Sequence, residues 1–256
     1  MRQVITAALA ALTLCALASE ASAQQRRSTP PRPFVERGFV IVGGGVQATA
    51  ADLTDRILFD SNAETGSIDA DYPGRTGVLF DVTGGMRVRR QIGFAVGVSR
   101  AARNGSAQVT AQIPHPFFDD QPRTVSGEAG AISRTETGVH GQLYYDMRPR
   151  GPWRVRFFGG PSYFTVEQEV VTGVDADEAY PFDTAGFRRA ATARASGSAI
   201  GFNAGLDFAR MFNRRVGAGA AVRYSRASID LDAPAERTVS TDGGGMQATI
   251  GVRFLF

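Results

Sequence analysis

The feature that most constrains this chain is a period-two alternation of apolar with small or polar residues, repeated in segment after segment. At the carboxy-terminal end, Met246, Ala248, Ile250, Val252, Phe254 and Phe256 form one apolar row. Gly245, Gln247, Thr249, Gly251 and Arg253 fall between them, with Leu255 closing the second row. A period of two puts successive side chains on opposite faces of a β-strand. Seven earlier segments repeat the pattern, at residues 39–50, 77–88, 92–99, 136–147, 153–163, 199–210 and 216–225. In the segment at 77–88, Val78, Phe80, Val82, Met86 and Val88 oppose Asp81, Thr83 and Arg87. A soluble sandwich shows the same alternation, so periodicity alone leaves two architectures open.

The connections discriminate between them. Only a few residues join segments two and three, four and five, and six and seven, whereas the other joins are long and polar, at 51–75, 103–135, 172–192 and 232–242. Short turns at one end and long loops at the other are the rhythm of an outer-membrane barrel. Beyond the first 23 positions no run approaches the ~20 apolar residues of a spanning helix. A membrane chain without such helices must close its strands into a barrel to satisfy its backbone in lipid. The expected fold is therefore all-β: a transmembrane antiparallel up-and-down β-barrel of eight strands over residues 38–256, with short periplasmic turns and long extracellular loops. Residues 56–59 and 108–113 are candidates for a ninth and tenth strand, or for hairpins standing above the membrane.

The terminal strand adds a second kind of evidence. Thr249, Gly251, Phe254 and Phe256 stand where the C-terminal assembly signal of bacterial outer-membrane barrels has a polar residue, a glycine and two hydrophobic or aromatic residues. The chain resembles the small outer-membrane β-barrel domain family, the group that includes the outer membrane protein A transmembrane domain. The resemblance implies insertion by the barrel assembly machinery, with periplasmic chaperones as escorts, in contact with outer-membrane lipid and lipopolysaccharide. It implies no particular activity.

The start of the chain fits export. Arg2, an apolar middle and Ala21-Ser22-Ala23 read as a secretory signal peptide over residues 1–23, cleaved after Ala23. A Pro- and Arg-rich periplasmic lead-in is expected at 24–37. The single cysteine, Cys15, falls in the leader, which excludes a disulfide framework and a metal–thiolate site from the mature chain. A net charge of +3, spread without a dense basic block, gives no support for nucleic-acid binding.

If the apolar rows face lipid, the other rows must fill the barrel. Asp81, Arg87, Glu136, His140, Asp146, Arg154, Arg156, Asp207, Arg223 and Arg253 are expected inside. Eight strands leave an interior just wide enough for side chains, and buried charges need partners, so an ion-pair network plugging the lumen is expected. The alternative is a narrow porin-like path for ions or small solutes along the same arginines. A lipid A-modifying enzyme would need a histidine base, and the candidates are His140 on a strand and His115 in a loop between prolines. No motif of such enzymes is matched, and no catalytic residue, cofactor or metal is expected. The carboxylates Asp52, Asp55, Asp60, Glu64, Asp69 and Asp71, and Asp175, Asp177, Glu178 and Asp183, lack the spacing of a calcium loop. Phe117, Phe118, Tyr180, Phe182 and Phe187 are candidate partner-binding tips or a lid. Trp153, Tyr144, Tyr145, Tyr163, Tyr224, Phe254 and Phe256 fall near strand ends or the terminal turn side, and several of them are expected in the interfacial aromatic girdle. The expected role is a monomeric structural or surface-interaction barrel acting through its loops.

Overall fold

The computed structural model of the protein describes residues 37–48, 53–234 and 237–256. The leader, the lead-in up to residue 36, and Asp52 lie outside the described residues.

Ten strands run β1 (Gly38–Ala48), β2 (Leu53–Ser61), β3 (Glu64–Tyr72), β4 (Thr76–Arg89), β5 (Ile92–Ile113), β6 (Arg123–Asp146), β7 (Trp153–Glu178), β8 (Ala185–Met211), β9 (Val216–Ala233) and β10 (Arg237–Leu255). Eight of them close a ring, in the order β1, β4, β5, β6, β7, β8, β9, β10 and back to β1, every pair antiparallel. The ring closes between the two ends of the chain, from Phe39 opposite Leu255 to Ala48 opposite Met246. Arg37 and Gly38 donate their backbone N–H groups to the Phe256 carbonyl at 2.8 and 2.9 Å. β2 and β3 form a hairpin outside this order, attached where Ser67–Asp71 lies along Gln108–Gln112 of β5. Residues 56–59 thus belong to that hairpin and 108–113 to the far half of β5. The ring itself is eight-stranded.

Around the lower half of the ring the apolar rows face outward. Val78, Phe80, Met86, Phe94, Val96, Ile200, Phe202, Ile250 and Phe254 are all exposed, Ile200 to 79% and Val78 to 74%. A contiguous belt of this kind is costly in water and favourable in hydrocarbon. Trp153 stacks on Phe208 at 5.0 Å with Arg210 over its ring, and the Tyr145 hydroxyl reaches Gln91. These residues mark the short-turn rim of the belt. Tyr144 does not join them: it is 2% exposed, because it sits one residue out of phase with Tyr145 and so points into the barrel.

The expected long loops are mostly strand. β6, β7 and β8 have 24, 26 and 27 residues, more than twice the ~9–11 that a tilted strand needs to cross the hydrocarbon. The β5–β6 ladder continues from Ile92 opposite Tyr145 to Ile113 opposite Arg123, with one bulge near Gly105 and Ala107. The reason lies in which row is apolar. On β9, Val222 and Tyr224 face outward, but seven residues on, Ile229 and Leu231 face inward and are fully buried. The alternation persists while its polarity reverses, so the projecting walls are polar outside, where water replaces lipid. Inside this crown lies an apolar core that includes Leu53, Ile57, Ile68, Val109, Phe164, Val166, Val170, Ile229 and Leu231. The β2–β3 turn at Asn62-Ala63 has positive φ at both residues, the backbone of a two-residue hairpin whose twist matches its strands. The outer edge of β2, and β10 from Arg237 to Gly245, where pairing with β1 has not begun, are unpaired among the described residues. Arg237 bridges them to Asp55 at 2.8 Å.

Candidate functional site

The inward rows build the lumen in three tiers. The lowest is aromatic and charged. Phe39 and Tyr144 meet edge-to-face at 5.3 Å, and the Arg156 guanidinium lies over both rings, 3.6 and 4.4 Å from their centroids. Arg156 Nε donates to Asp146 at 2.6 Å, and Arg87 reaches the same carboxylate at 3.2 Å. Arg253 pairs with Asp207 beside them. Glycines make the space: a Cβ on Gly93 would lie 2.4 Å from the Tyr144 hydroxyl, and one on Gly85 2.5 Å from the Phe39 ring.

The middle tier holds Arg223 against Asp81 at 2.7 Å and a chain of neutral groups. Asn203 Nδ2 donates to Ser162 Oγ at 2.9 Å, Ser162 Oγ lies 2.8 Å from His140 Nδ1, and His140 Nε2 lies 2.8 Å from Ser99 Oγ. Each ring nitrogen of His140 is thus engaged by a serine hydroxyl, one as donor and the other as acceptor in the neutral ring. Asn203 also reaches the carbonyls of Gly160 and Pro161, where the Gly-Gly-Pro run leaves a gap in the β6–β7 ladder.

The upper tier centres on Glu136, 3% exposed. It accepts from Gln47 at 2.7 Å, Arg134 at 2.7 Å, Arg103 at 3.0 Å and the Gly244 backbone N–H at 3.0 Å. Gly244 has φ near +91°, a conformation that favours glycine. Arg134 goes on to Gln168, Thr241 and the Asp242 carbonyl, all within 2.9 Å, and Gln247 donates to Gln47. Of the ten charged or titratable residues placed inside from sequence, nine make these contacts. Arg154 is half-buried and lines the lowest tier beside Asp146 and Asp207. Gln47, Arg103, Arg134, Gln168, Asn203 and Gln247 carry as much of the network and were not foreseen.

The hairpin tips form a second cluster. His115, 5% exposed, accepts on Nδ1 from the backbone N–H groups of Phe117 and Phe118 at 3.1 and 3.2 Å, and its Nε2 faces Asp183 at 3.8 Å. Phe117 meets Phe182, and Phe182 meets Tyr180, edge-to-face. Arg123, from the base of one tip, donates to the Pro114 and Phe182 carbonyls of both. Phe187 packs instead on the crown core. The carboxylates of the crown pair with arginines, Asp55 with Arg237 and Asp175 with Arg189, and form no group able to hold a metal among the described residues.

An eight-stranded ring with an apolar belt outside and a charged, hydrogen-bonded interior defines a small transmembrane β-barrel. No protein-family model matches the chain, and no curated protein matches it in sequence. Among solved structures it is similar to the outer membrane protein OprG from Pseudomonas aeruginosa (13% identity, 86% of this chain and 96% of that one, TM-score 0.48). It is also similar to Neisserial surface protein A (11%, 86% and 96%, 0.46) and to the outer membrane protease OmpT from Escherichia coli (7%, 91% and 100%, 0.47). Identities this low carry no activity from one barrel to another.

Proposed function

We propose that this is an integral protein of the bacterial outer membrane with a closed lumen, which acts through the folded crown it raises above the bilayer. Residues 1–23 are its cleaved export signal, both termini of the barrel domain lie on the periplasmic side, and the terminal strand with Phe254 and Phe256 is read by the assembly machinery. The observation that carries this reading is the tiered filling of the interior. Phe39, Tyr144 and Arg156 cross the bottom, the Arg134–Glu136–Gln47 cluster crosses the top of the membrane section, and Val166, Ile229 and Leu231 fill the crown. A small cavity lined by Phe39, Asp81, Arg156, Asp207 and Arg223 lies among these side chains.

The histidines support a non-enzymatic role. His140 is fully buried with both ring nitrogens engaged by serine hydroxyls, which leaves neither nitrogen facing a substrate. His115 is occupied in holding its own loop. Single-channel recording of the refolded protein, beside Arg156→Ala and Arg223→Ala, tests the reading. A silent wild-type bilayer is expected. Steady wild-type conductance that shifts with either substitution would replace the closed barrel with a narrow channel.

A further inference from the structure

The barrel wall is interrupted beside β5. β4 pairs with β5 up to Val78 opposite Ala102, and β3 takes over only from Asp71 opposite Gln108. Among the described residues no strand lies on that side of β5 from Arg103 to Ala107. The gap holds a small open cavity, which runs from exposed Pro73, Arg75 and Asn104 to buried Tyr72, Arg134 and Gln168.

Its lining is rich in guanidinium groups. Arg103 and Arg134, with side chains 14% and 7% exposed, share the single carboxylate of Glu136. Arg75 makes no ion pair among the described residues. It donates to Ser106 Oγ at 3.1 Å, and its guanidinium lies against Gly105, where an added Cβ would come 3.2 Å from Nε. Arg103 in turn reaches across the gap to the Arg75 carbonyl at 3.4 Å. Burial, and then the neighbouring Arg134 guanidinium, push Arg103 down to about 10, which leaves it charged at neutral pH but in a crowd of like charge. The site stands just above the belt: Val78 and Phe80 face outward below Arg75 on β4, Val96 and Val98 face outward lower down on β5, and exposed Arg100, opposite Phe80, marks the belt's edge.

We propose that this gap is a binding site for a phosphate group, with Arg75 at its mouth, Arg103 behind it, and Arg134 adding charge at depth. A guanidinium fork suits a tetrahedral anion with several acceptor oxygens, and Asn104 and Ser106 add neutral donors at the rim. The height favours the phosphate of a lipid headgroup in the outer leaflet, whose chains would run down over Val78 and Phe80. A free phosphate would use the same donors.

Two probes separate these sources. The refolded protein in neutral detergent micelles is titrated with inorganic phosphate by calorimetry, and its retention of lipid A is read by native mass spectrometry with the phosphorylated and dephosphorylated forms. Arg75→Gln is the principal variant because its side chain is exposed, and unboiled gel mobility confirms its fold. Arg56→Gln, exposed elsewhere on the crown, is the control. Phosphorylated lipid A is expected to bind about tenfold more weakly to Arg75→Gln than to wild type, and unchanged to Arg56→Gln. Arg75-dependent retention without a phosphate heat assigns the site to headgroups. An Arg75-dependent phosphate heat assigns it to the free anion as well. Equal retention of both lipid forms, with no Arg75-dependent heat, overturns the site. This result is independent of whether the lumen conducts.

Discussion

At the scale of single residues, the lumen is held by buried charges that depend on their partners. Asp81 and Arg223 are 5% and 6% exposed, and removal of one leaves the other charged where water is scarce. Arg223→Ala should destabilise the barrel by roughly 3 kcal/mol in urea unfolding from lipid vesicles, and adding Asp81→Asn should recover part of that loss. Additive losses would mean that the pair is solvated through the adjoining cavity. Tyr72 offers a pH readout. Its hydroxyl accepts from the Val171 N–H at 2.7 Å inside the crown, and burial pushes its pKa up to about 12 from 10; that hydrogen bond and Arg237 pull it the other way, while Asp55 adds to the rise. The buried neutral form is favoured, so its contribution is fully present below pH 10 and is lost as pH rises toward 12, on the order of 2–3 kcal/mol in total. The slope of stability between pH 10 and 12 should flatten in Tyr72→Phe; an unchanged slope would place its origin elsewhere.

Among elements, the β1–β10 seam and the crown respond differently. Phe256 contributes its carbonyl to two hydrogen bonds at the seam and its ring to contact with Gly38. Deletion of Phe256 should lower the amount of barrel in the outer membrane, measured by heat-modifiable gel mobility of membrane fractions. In the crown, Ile229→Asn would bury an amide in an apolar core. It should make the hairpins sensitive to protease while the belt-bearing half stays protected; loss of both halves together would show one cooperative unit. The eight membrane strands were legible because Val, Phe and Ile stand in the outward row against Gly, Asp and Arg. The crown was legible only at residues 56–59 and 108–113, candidates for hairpins above the membrane; elsewhere its outward row, as at Asp230 and Asp232, reads in isolation as polar loop. The signal was present in Val109-x-Ala111 and Ile229-x-Leu231, but on the opposite phase. Network partners were harder still to foresee. Gln47 and Gln247 lie 200 residues apart, and Arg134 falls where the sequence reads as loop; only the register of the closed ring brings them to Glu136.

As a whole molecule the protein should behave as one closed barrel, so refolded chain should migrate differently on unboiled and boiled gels, with sheet-rich circular dichroism. Helix-rich spectra with identical migration would contradict the ring. The reversal of polarity along the walls has a consequence for the membrane itself. It sets a ruler on the outside of the protein: Val222 and Tyr224 must stay in hydrocarbon, whereas Asp230 and Asp232, further along β9, must stay out. A displacement of two residues, roughly 6 Å along a strand, would submerge charges on one rim and strand aliphatic side chains on the other. Strands locked into a closed ladder cannot tilt one at a time to absorb a thickness mismatch, as a lone helix does, so lipids around the barrel must stretch or thin at a modest cost per ångström. The barrel therefore imposes its own thickness on the surrounding leaflets, and bilayers of that thickness are the ones in which it sits without strain.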